Sequence, residues 1–162
     1  QCDWSSDVCS SDLYIMTQFL MFAYGMNTNS EGMAHRCPAA VSHGHARLLD
    51  YAFRFSGPAD VVKSVDSYVD GVLWTISERC LVSLDMLEGY PYYYNRRFLR
   101  VLHQGRTVKA LTYFMQPGHP DAPPSPGYFE MVEEGYREHG VPTDQLYNAR
   151  EACCYENCQN YS

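Results

Sequence analysis

The sequence has no apolar run long enough to cross a membrane. Its longer runs, such as residues 19–24, fall far short of the roughly 20 residues that a membrane-spanning helix requires. The N-terminus also lacks the basic start, apolar stretch and small-residue cleavage site that mark a secretory signal in that order. These absences predict a cytoplasmic protein with no membrane partner.

Positive charge and the common cofactor motifs are also scarce. Twelve Lys and Arg residues face 19 Asp and Glu, which gives a formal net charge of −7. A protein with this excess of negative charge is not attracted to the phosphate backbone of nucleic acid, so we predict no nucleic-acid partner. The chain has no G-x-S-x-G elbow, P-loop or dinucleotide fingerprint, and pairs such as His43 and His45 have no second pair at a zinc spacing. We therefore predict no metal and no organic cofactor.

The first residues have no pattern of regular structure. Residues 3–13 read DWSSDVCSSDL and resemble the in-frame translation of a common short-read sequencing adapter. We therefore predict that residues 1–15 are a non-native leader and that Met16 is the true start. The remaining length and apolar content suit one domain at 16–152, followed by a polar, cysteine-containing tail at 153–162.

Apolar periodicity and capping residues predict strands first, one inserted helix, then a hairpin and terminal helices. The predicted strands are residues 18–24, 46–55, 60–66, 70–76, 92–103 and 107–115. The predicted helices run from the Ser77 cap to Gly89, over about 128–139 and over about 143–152, and residues 28–45 read as a loop. This order favours an α+β fold, with a small barrel as one form of it, over a doubly wound sheet.

Glu88 is the residue best placed for acid/base chemistry. It lies at the predicted C-terminal end of the first helix, just before Gly89. The unpaired carbonyls at a helix C-terminus carry partial negative charge, so they tend to raise the pKa of a nearby carboxyl group. A raised pKa suits a group that must both accept and donate a proton. The alternative interpretation is a solvated surface glutamate.

Other candidate residues lie in a loop and among clustered tyrosines. Gly25 follows the first strand, where backbone can approach a ligand closely and successive N–H groups can hold a carboxylate. A strand end with a turn glycine explains that loop equally well. In a strand, Tyr92 and Tyr94 would share one face. The stiff, proline-rich loop at 122–127 leads directly to Tyr128.

Three segments, in this order, resemble the γ-glutamylcyclotransferase family. FAYGMN resembles its YGSN loop, LDMLEGYPYYY its helix ending in Glu-Gly, and APPSPGYFEMVEEGYREHGVP its proline-rich loop and following helix. The resemblance spans roughly residues 19–145 and implies a small mixed β-barrel flanked by helices, with a cavity at one end. It implies that Glu88 is the general acid/base. The substrate-binding residues that it implies are Tyr24, Gly25, Met26, Asn27, Tyr94 and Tyr128, and a one-residue shift would select Tyr93 in place of Tyr94.

The resemblance also implies a reaction. A γ-glutamyl amino acid or γ-glutamylamine would cyclise to 5-oxoproline and release its amine, so the expected partner is a small γ-glutamyl molecule. Met26 departs from the family pattern, which usually has Ser there. This departure leaves open a non-catalytic barrel that binds a small metabolite. A third alternative is an interaction module that uses the tyrosine-rich face; no oligomeric state is predicted.

Overall fold

The computed structural model describes residues 17–159, so the leader predicted at 1–15 lies outside the described residues. Within them, five strands and four α-helices form an α+β fold, as predicted. The strands are β1 (Gln18–Ala23), β2 (Val41–Phe55), β3 (Ala59–Ser77), β4 (Tyr94–His103) and β5 (Arg106–Met115). The helices are α1 (Ser30–Arg36), α2 (Glu78–Glu88), α3 (Pro126–Glu138) and α4 (Asp144–Gln159), and a short 3₁₀ helix (Met26–Thr28) follows β1. None of the described helices is long and apolar enough to span a membrane.

The five strands form one sheet in the order β1-β3-β2-β4-β5. Neighbours in this order pair antiparallel, and β5 pairs back with β1 in parallel through Leu111 and Met21. Leu48 of β2 and Val101 of β4 lie opposite each other, and both are fully buried. The apolar faces of the strands therefore point into a shared core, which the helices extend.

The helix before the site residue is predicted correctly because its signals are local. Ser77 caps α2 by accepting a hydrogen bond from the Cys80 N–H at 3.2 Å. Gly89 ends the helix in the left-handed conformation, with φ at 63°. These two caps fix the place of Glu88 as the last residue of α2.

Two parts of the predicted strand pattern are wrong. The strands predicted at 60–66 and 70–76 are one strand, β3, which pairs with β2 along its length. Its middle residues are largely exposed, so the apolar pattern lapses although the strand continues. Residues 28–45 hold α1 and the start of β2 in place of the predicted loop. The helix α1 buries Met33, which leaves little apolar periodicity to detect.

The last helix is longer than predicted. It continues to Gln159, beyond the end predicted near residue 152. Cys153, the first residue of the predicted polar tail, is buried, and its thiol lies 3.8 Å from the Phe55 carbonyl oxygen as a donor. Packing against β2 therefore orders the start of this segment.

Candidate active site

A cavity of about 290 Å³ lies where the end of β1, the C-terminus of α2 and the start of α3 meet. Its walls come from segments that are far apart in sequence, so only the folded sheet and helices create it. Every predicted site residue lines this cavity, namely Tyr24, Gly25, Met26, Asn27, Glu88, Tyr94 and Tyr128. Among the described residues, Glu88 is the charged side chain in its lining.

The Glu88 carboxyl group is partly buried and has one side-chain donor. Its Oε1 accepts a hydrogen bond from Asn27 Nδ2 at 2.8 Å. Burial raises the pKa of Glu88 to about 7, while the Asn27 hydrogen bond and the positive charge of Arg36 act in the opposite direction. The predicted rise in pKa is therefore present, but burial is its main cause. A carboxyl group with this pKa can both accept and donate a proton near neutral pH.

Asn27 connects Glu88 to Arg36, a residue that the sequence patterns did not indicate. The Arg36 guanidinium donates to Asn27 Oδ1 at 3.0 Å, while Asn27 Nδ2 donates to Glu88. Arg36 ends α1, in the segment predicted as a loop. A signal was present, because Asn29 caps α1 by accepting from the Gly32 N–H. An N-cap residue of this type predicts a helix that begins at Ser30, whereas the position of Arg36 beside Asn27 follows only from the fold.

Three cavity tyrosines donate their hydroxyl protons to other protein groups. Tyr24 donates to the Tyr113 carbonyl oxygen at 2.8 Å, and Tyr94 donates to the Ala59 carbonyl oxygen at 2.7 Å. Tyr113 donates to an Asp85 oxygen at 2.7 Å. These three residues therefore present their rings to the cavity, and the hydrogen bonds fix the rings in place.

Tyr128 is bonded in the opposite sense. Its hydroxyl oxygen accepts the Ala59 N–H at 3.0 Å, so its proton can be donated to a group in the cavity. Burial raises the pKa of Tyr128 to about 12, although N–H groups of Ala59 and Met26 oppose the rise. A Cβ atom at Gly25 would lie 2.9 Å from this hydroxyl oxygen. The close approach expected at Gly25 therefore involves the protein's own Tyr128.

The clustered tyrosines after α2 lie in different environments. Strand β4 begins at Tyr94, so Tyr92 belongs to the preceding turn and does not share a strand face with it. Tyr92 is 90% exposed, whereas Tyr94 is 6% exposed. Tyr93 is 41% exposed and also lines the cavity, as does Leu87. Tyr93 and Leu87 therefore form part of the cavity mouth, and Tyr94 lies deeper.

The fold and the cavity together define an α+β protein with one titrating carboxyl group in a tyrosine-lined pocket. The family described as gamma-glutamyl cyclotransferase, AIG2-like matches residues 21–139. Gamma-glutamylcyclotransferases from Bos taurus and Homo sapiens are each 31% identical over 140 residues, covering 78% of this chain and 74% of theirs. The chain therefore belongs to the gamma-glutamyl cyclotransferase, AIG2-like family and is a cyclotransferase.

Solved structures agree with this assignment. A structure of a gamma-glutamyl cyclotransferase matches with a TM-score of 0.73 and 29% identity, covering 82% of this chain and 86% of that one. An uncharacterized protein from Homo sapiens matches with a TM-score of 0.74 and 30% identity, covering 83% and 87%. The family resemblance inferred from the three sequence segments is confirmed.

Proposed function

We propose that this chain cyclises a γ-glutamyl amino acid or γ-glutamylamine to 5-oxoproline and releases the amine. The single observation that carries the proposal is the Glu88 carboxyl group, which lines the cavity with its pKa raised to about 7. One group with that pKa can alternately accept protons from the attacking nitrogen and donate them to the leaving nitrogen. The family membership supports the same chemistry.

The reaction begins with attack inside one molecule. The substrate α-amine attacks its own γ-carbonyl carbon, and a five-membered ring results. The cavity holds the γ-glutamyl substrate in a folded conformation, in which effective molarities of about 10⁵ M and above become available. An ammonium group has no lone pair for this attack, so the Glu88 carboxylate first accepts its proton.

The second step breaks the original amide bond. The now protonated Glu88 donates its proton to the other nitrogen, and the tetrahedral carbon expels that nitrogen as an amine. The ring nitrogen still carries one proton more than the lactam of 5-oxoproline, and Glu88 passes this second proton to the released amine, which departs as an ammonium ion. The carboxylate is thereby restored, and no proton is gained or lost by the enzyme over the cycle. Positioned acid/base groups of this kind typically accelerate a reaction about 10²–10⁴-fold.

The loop of Tyr24, Gly25, Met26 and Asn27 is proposed to bind the substrate through its backbone. Main-chain N–H groups can stabilise a substrate carboxylate or the oxyanion that develops on the γ-carbonyl. A backbone contact needs no serine hydroxyl, so Met26 is compatible with binding. Tyr94 supplies an apolar ring face, and the Tyr128 hydroxyl supplies a further donor to the same region.

Removal of the Tyr128 hydroxyl tests its place in the site. We expect Tyr128→Phe to lower kcat/KM by about 10²-fold, since loss of one donor to a developing oxyanion has effects of this size. The Ala59 N–H would also lose its acceptor, which costs about 1–3 kcal/mol of stability. Steady-state kinetics below the unfolding temperature would separate the two effects. Tyr92→Phe, at an exposed position, should change neither, and unchanged kinetics in Tyr128→Phe would contradict the donor role.

The activity itself is tested with a panel of γ-glutamyl amino acids, glutathione and γ-glutamylamines. We expect 5-oxoproline release from at least one of them, with the amine released in equal amount. Thermal stabilisation by these molecules without any release would instead favour the non-catalytic metabolite-binding barrel. Absence of both 5-oxoproline release and thermal stabilisation would favour the interaction module that uses the tyrosine-rich face.

We also propose that the sheet closes into a small barrel. The return of β5 to β1 through Leu111 and Met21 supports a small mixed β-barrel flanked by helices. In this description the cavity lies at one end of the barrel, beside the C-terminus of α2. The domain limits at 16–152 and the cytoplasmic location stay predictions.

A further inference from the structure

Three polar side chains form a continuous row that leads out of the cavity. Arg36 donates to Asn27 Oδ1 at 3.0 Å, and Asn27 Nδ2 donates to Glu88 Oε1 at 2.8 Å. The row joins α1, the 3₁₀ helix and α2, which are separate in sequence. Asn27 is buried, and both Arg36 and Glu88 are partly buried, so solvent competes poorly for these bonds.

The chemistry of a guanidinium group decides which way the Asn27 amide faces. An arginine side chain only donates hydrogen bonds, whereas an amide has one accepting and one donating end. Arg36 therefore requires the oxygen of Asn27 on its side, and this leaves the NH₂ group toward Glu88. If the Asn27 amide were rotated by half a turn, its Oδ1 would face the Oε1 of the Glu88 carboxylate, and no hydrogen bond could form between them.

We propose, on the basis of the proposed function of Glu88, that Arg36 is a positioning residue. It fixes the Asn27 amide with its N–H group toward Glu88 and so holds the carboxylate in place for proton transfer. Arg36 does not line the cavity and does not contact the reacting atoms. It positions the Glu88 carboxylate through Asn27, and its charge also favours the ionised form of Glu88.

Charges around Glu88 support this assignment. The charged or titratable groups that face it are Arg36 from α1 and four tyrosines from other segments, namely Tyr24, Tyr94, Tyr113 and Tyr128. Burial raises the pKa of each tyrosine, so all four stay neutral near pH 7. Arg36 is thus the cation that stabilises the Glu88 carboxylate among these groups. Its removal disfavours the charged form, and the pKa of Glu88 rises further.

The test is the pH dependence of 5-oxoproline release in Arg36→Met, which keeps an apolar stem but removes charge and donors. Glu88 must be ionised to accept the first proton, so the rising acid limb of kcat/KM follows its pKa. We expect this limb to move to higher pH by about half a unit to one unit. We also expect kcat at pH 7 to fall about tenfold, because the carboxylate is less well held. Arg36→Lys, which keeps the charge and one donor, should restore part of both.

Arg79 provides a matched control for Arg36. Arg79 is exposed on α2 and lines the same surface groove as Arg36. Arg79→Met removes the same charge and should leave the pH profile unchanged. On the plateau of kcat above the acid limb, combining Arg36→Met with Asn27→Ala should lower kcat no further than Asn27→Ala alone, because the positioning passes through one contact. Additive effects, or an unmoved acid limb in Arg36→Met, would overturn the proposal.

A second readout does not require turnover. We expect the unaltered protein and its Glu88→Gln variant to differ in thermal unfolding temperature, and this difference should depend on pH through the ionisation of Glu88. We expect the pH at which the difference appears to be higher when Arg36→Met is present in both proteins. If no substrate is turned over but this shift is seen, the proposed function fails while the link from Arg36 to Glu88 stands. If turnover is normal and neither readout moves, the positioning role of Arg36 fails.

Discussion

Glu88→Gln is expected to lower 5-oxoproline release at pH 7 by about 10²–10⁴-fold while the fold is retained. A glutamine amide is nearly the same size and can still accept the Asn27 hydrogen bond, but it cannot carry the proton between the two nitrogens. Glu130→Gln on α3 makes the same chemical change at an exposed position and should behave like the unaltered protein. Substantial turnover in Glu88→Gln would remove Glu88 from the mechanism.

The same substitution should stabilise the protein at alkaline pH. The pKa of Glu88 is raised from 4.5 to about 7, so the folded protein holds this proton more tightly than the unfolded chain does. Stability from the protonated group is fully present below pH 4.5 and is lost as the pH rises through 7. Glutamine has no such loss. At pH 8 we expect Glu88→Gln to raise the free energy of unfolding by up to about 3 kcal/mol.

Denaturant unfolding at several pH values would measure this difference. The gain should disappear below about pH 4.5, where both side chains are neutral. Equal stability of the two proteins at every pH would mean that Glu88 titrates like a solvated glutamate. If Glu88→Gln lost activity and gained stability, the buried glutamate would be required for the reaction although it destabilises the folded protein.

The parts of the site that could be predicted from the sequence are those with local signals. Ser77 and Gly89 delimit α2 by their own capping preferences, and they place Glu88 at the helix end. The strand before Tyr24 is a continuous apolar run. Neither prediction depends on how distant segments meet.

The rest of the site depends on contacts between distant segments. Asn27 meets Glu88 across 61 positions of sequence, and no local pattern specifies that hydrogen bond. Arg36 was missed because α1 is only seven residues long and packs one side chain, Met33, into the core. A helix this short is unstable alone, so tertiary contacts and not periodicity determine that it forms.

One close tertiary contact of this kind lies at Gly135, where α3 crosses the end of the 3₁₀ helix. A Cβ atom there would clash with Thr28 Oγ1 and would lie 2.6 Å from the Asn29 backbone nitrogen. Both neighbours are buried, and the Asn29 side chain also donates to the Met131 carbonyl oxygen at 3.3 Å. Backbone atoms on the facing side cannot rotate away as a flexible side chain would. Any larger residue at position 135 must therefore separate α3 from the loop that carries Asn27.

Gly135→Ala should consequently have the opposite effect to the one that helix propensity predicts. In an open helical position, Gly→Ala typically stabilises by about 0.4–1 kcal/mol. Gly127 provides that case in the same helix, because a Cβ atom there would meet nothing within 4 Å. Gly127→Ala should therefore be slightly stabilising and leave turnover unchanged. Overpacking at Gly135 should instead cost about 1–3 kcal/mol or more.

Measuring activity distinguishes displacement of the loop that carries Asn27 from loss of overall stability. The displaced 3₁₀ helix carries Asn27, so Gly135→Ala should weaken the Asn27–Glu88 hydrogen bond. A displacement of about 1 Å can reduce turnover 10²-fold, and we expect a loss approaching that size well below the unfolding temperature. Denaturant unfolding and 5-oxoproline release, measured for both alanine variants, test the two parts independently. If Gly135→Ala were as stable and active as Gly127→Ala, the approach of α3 could not be what fixes the site loop.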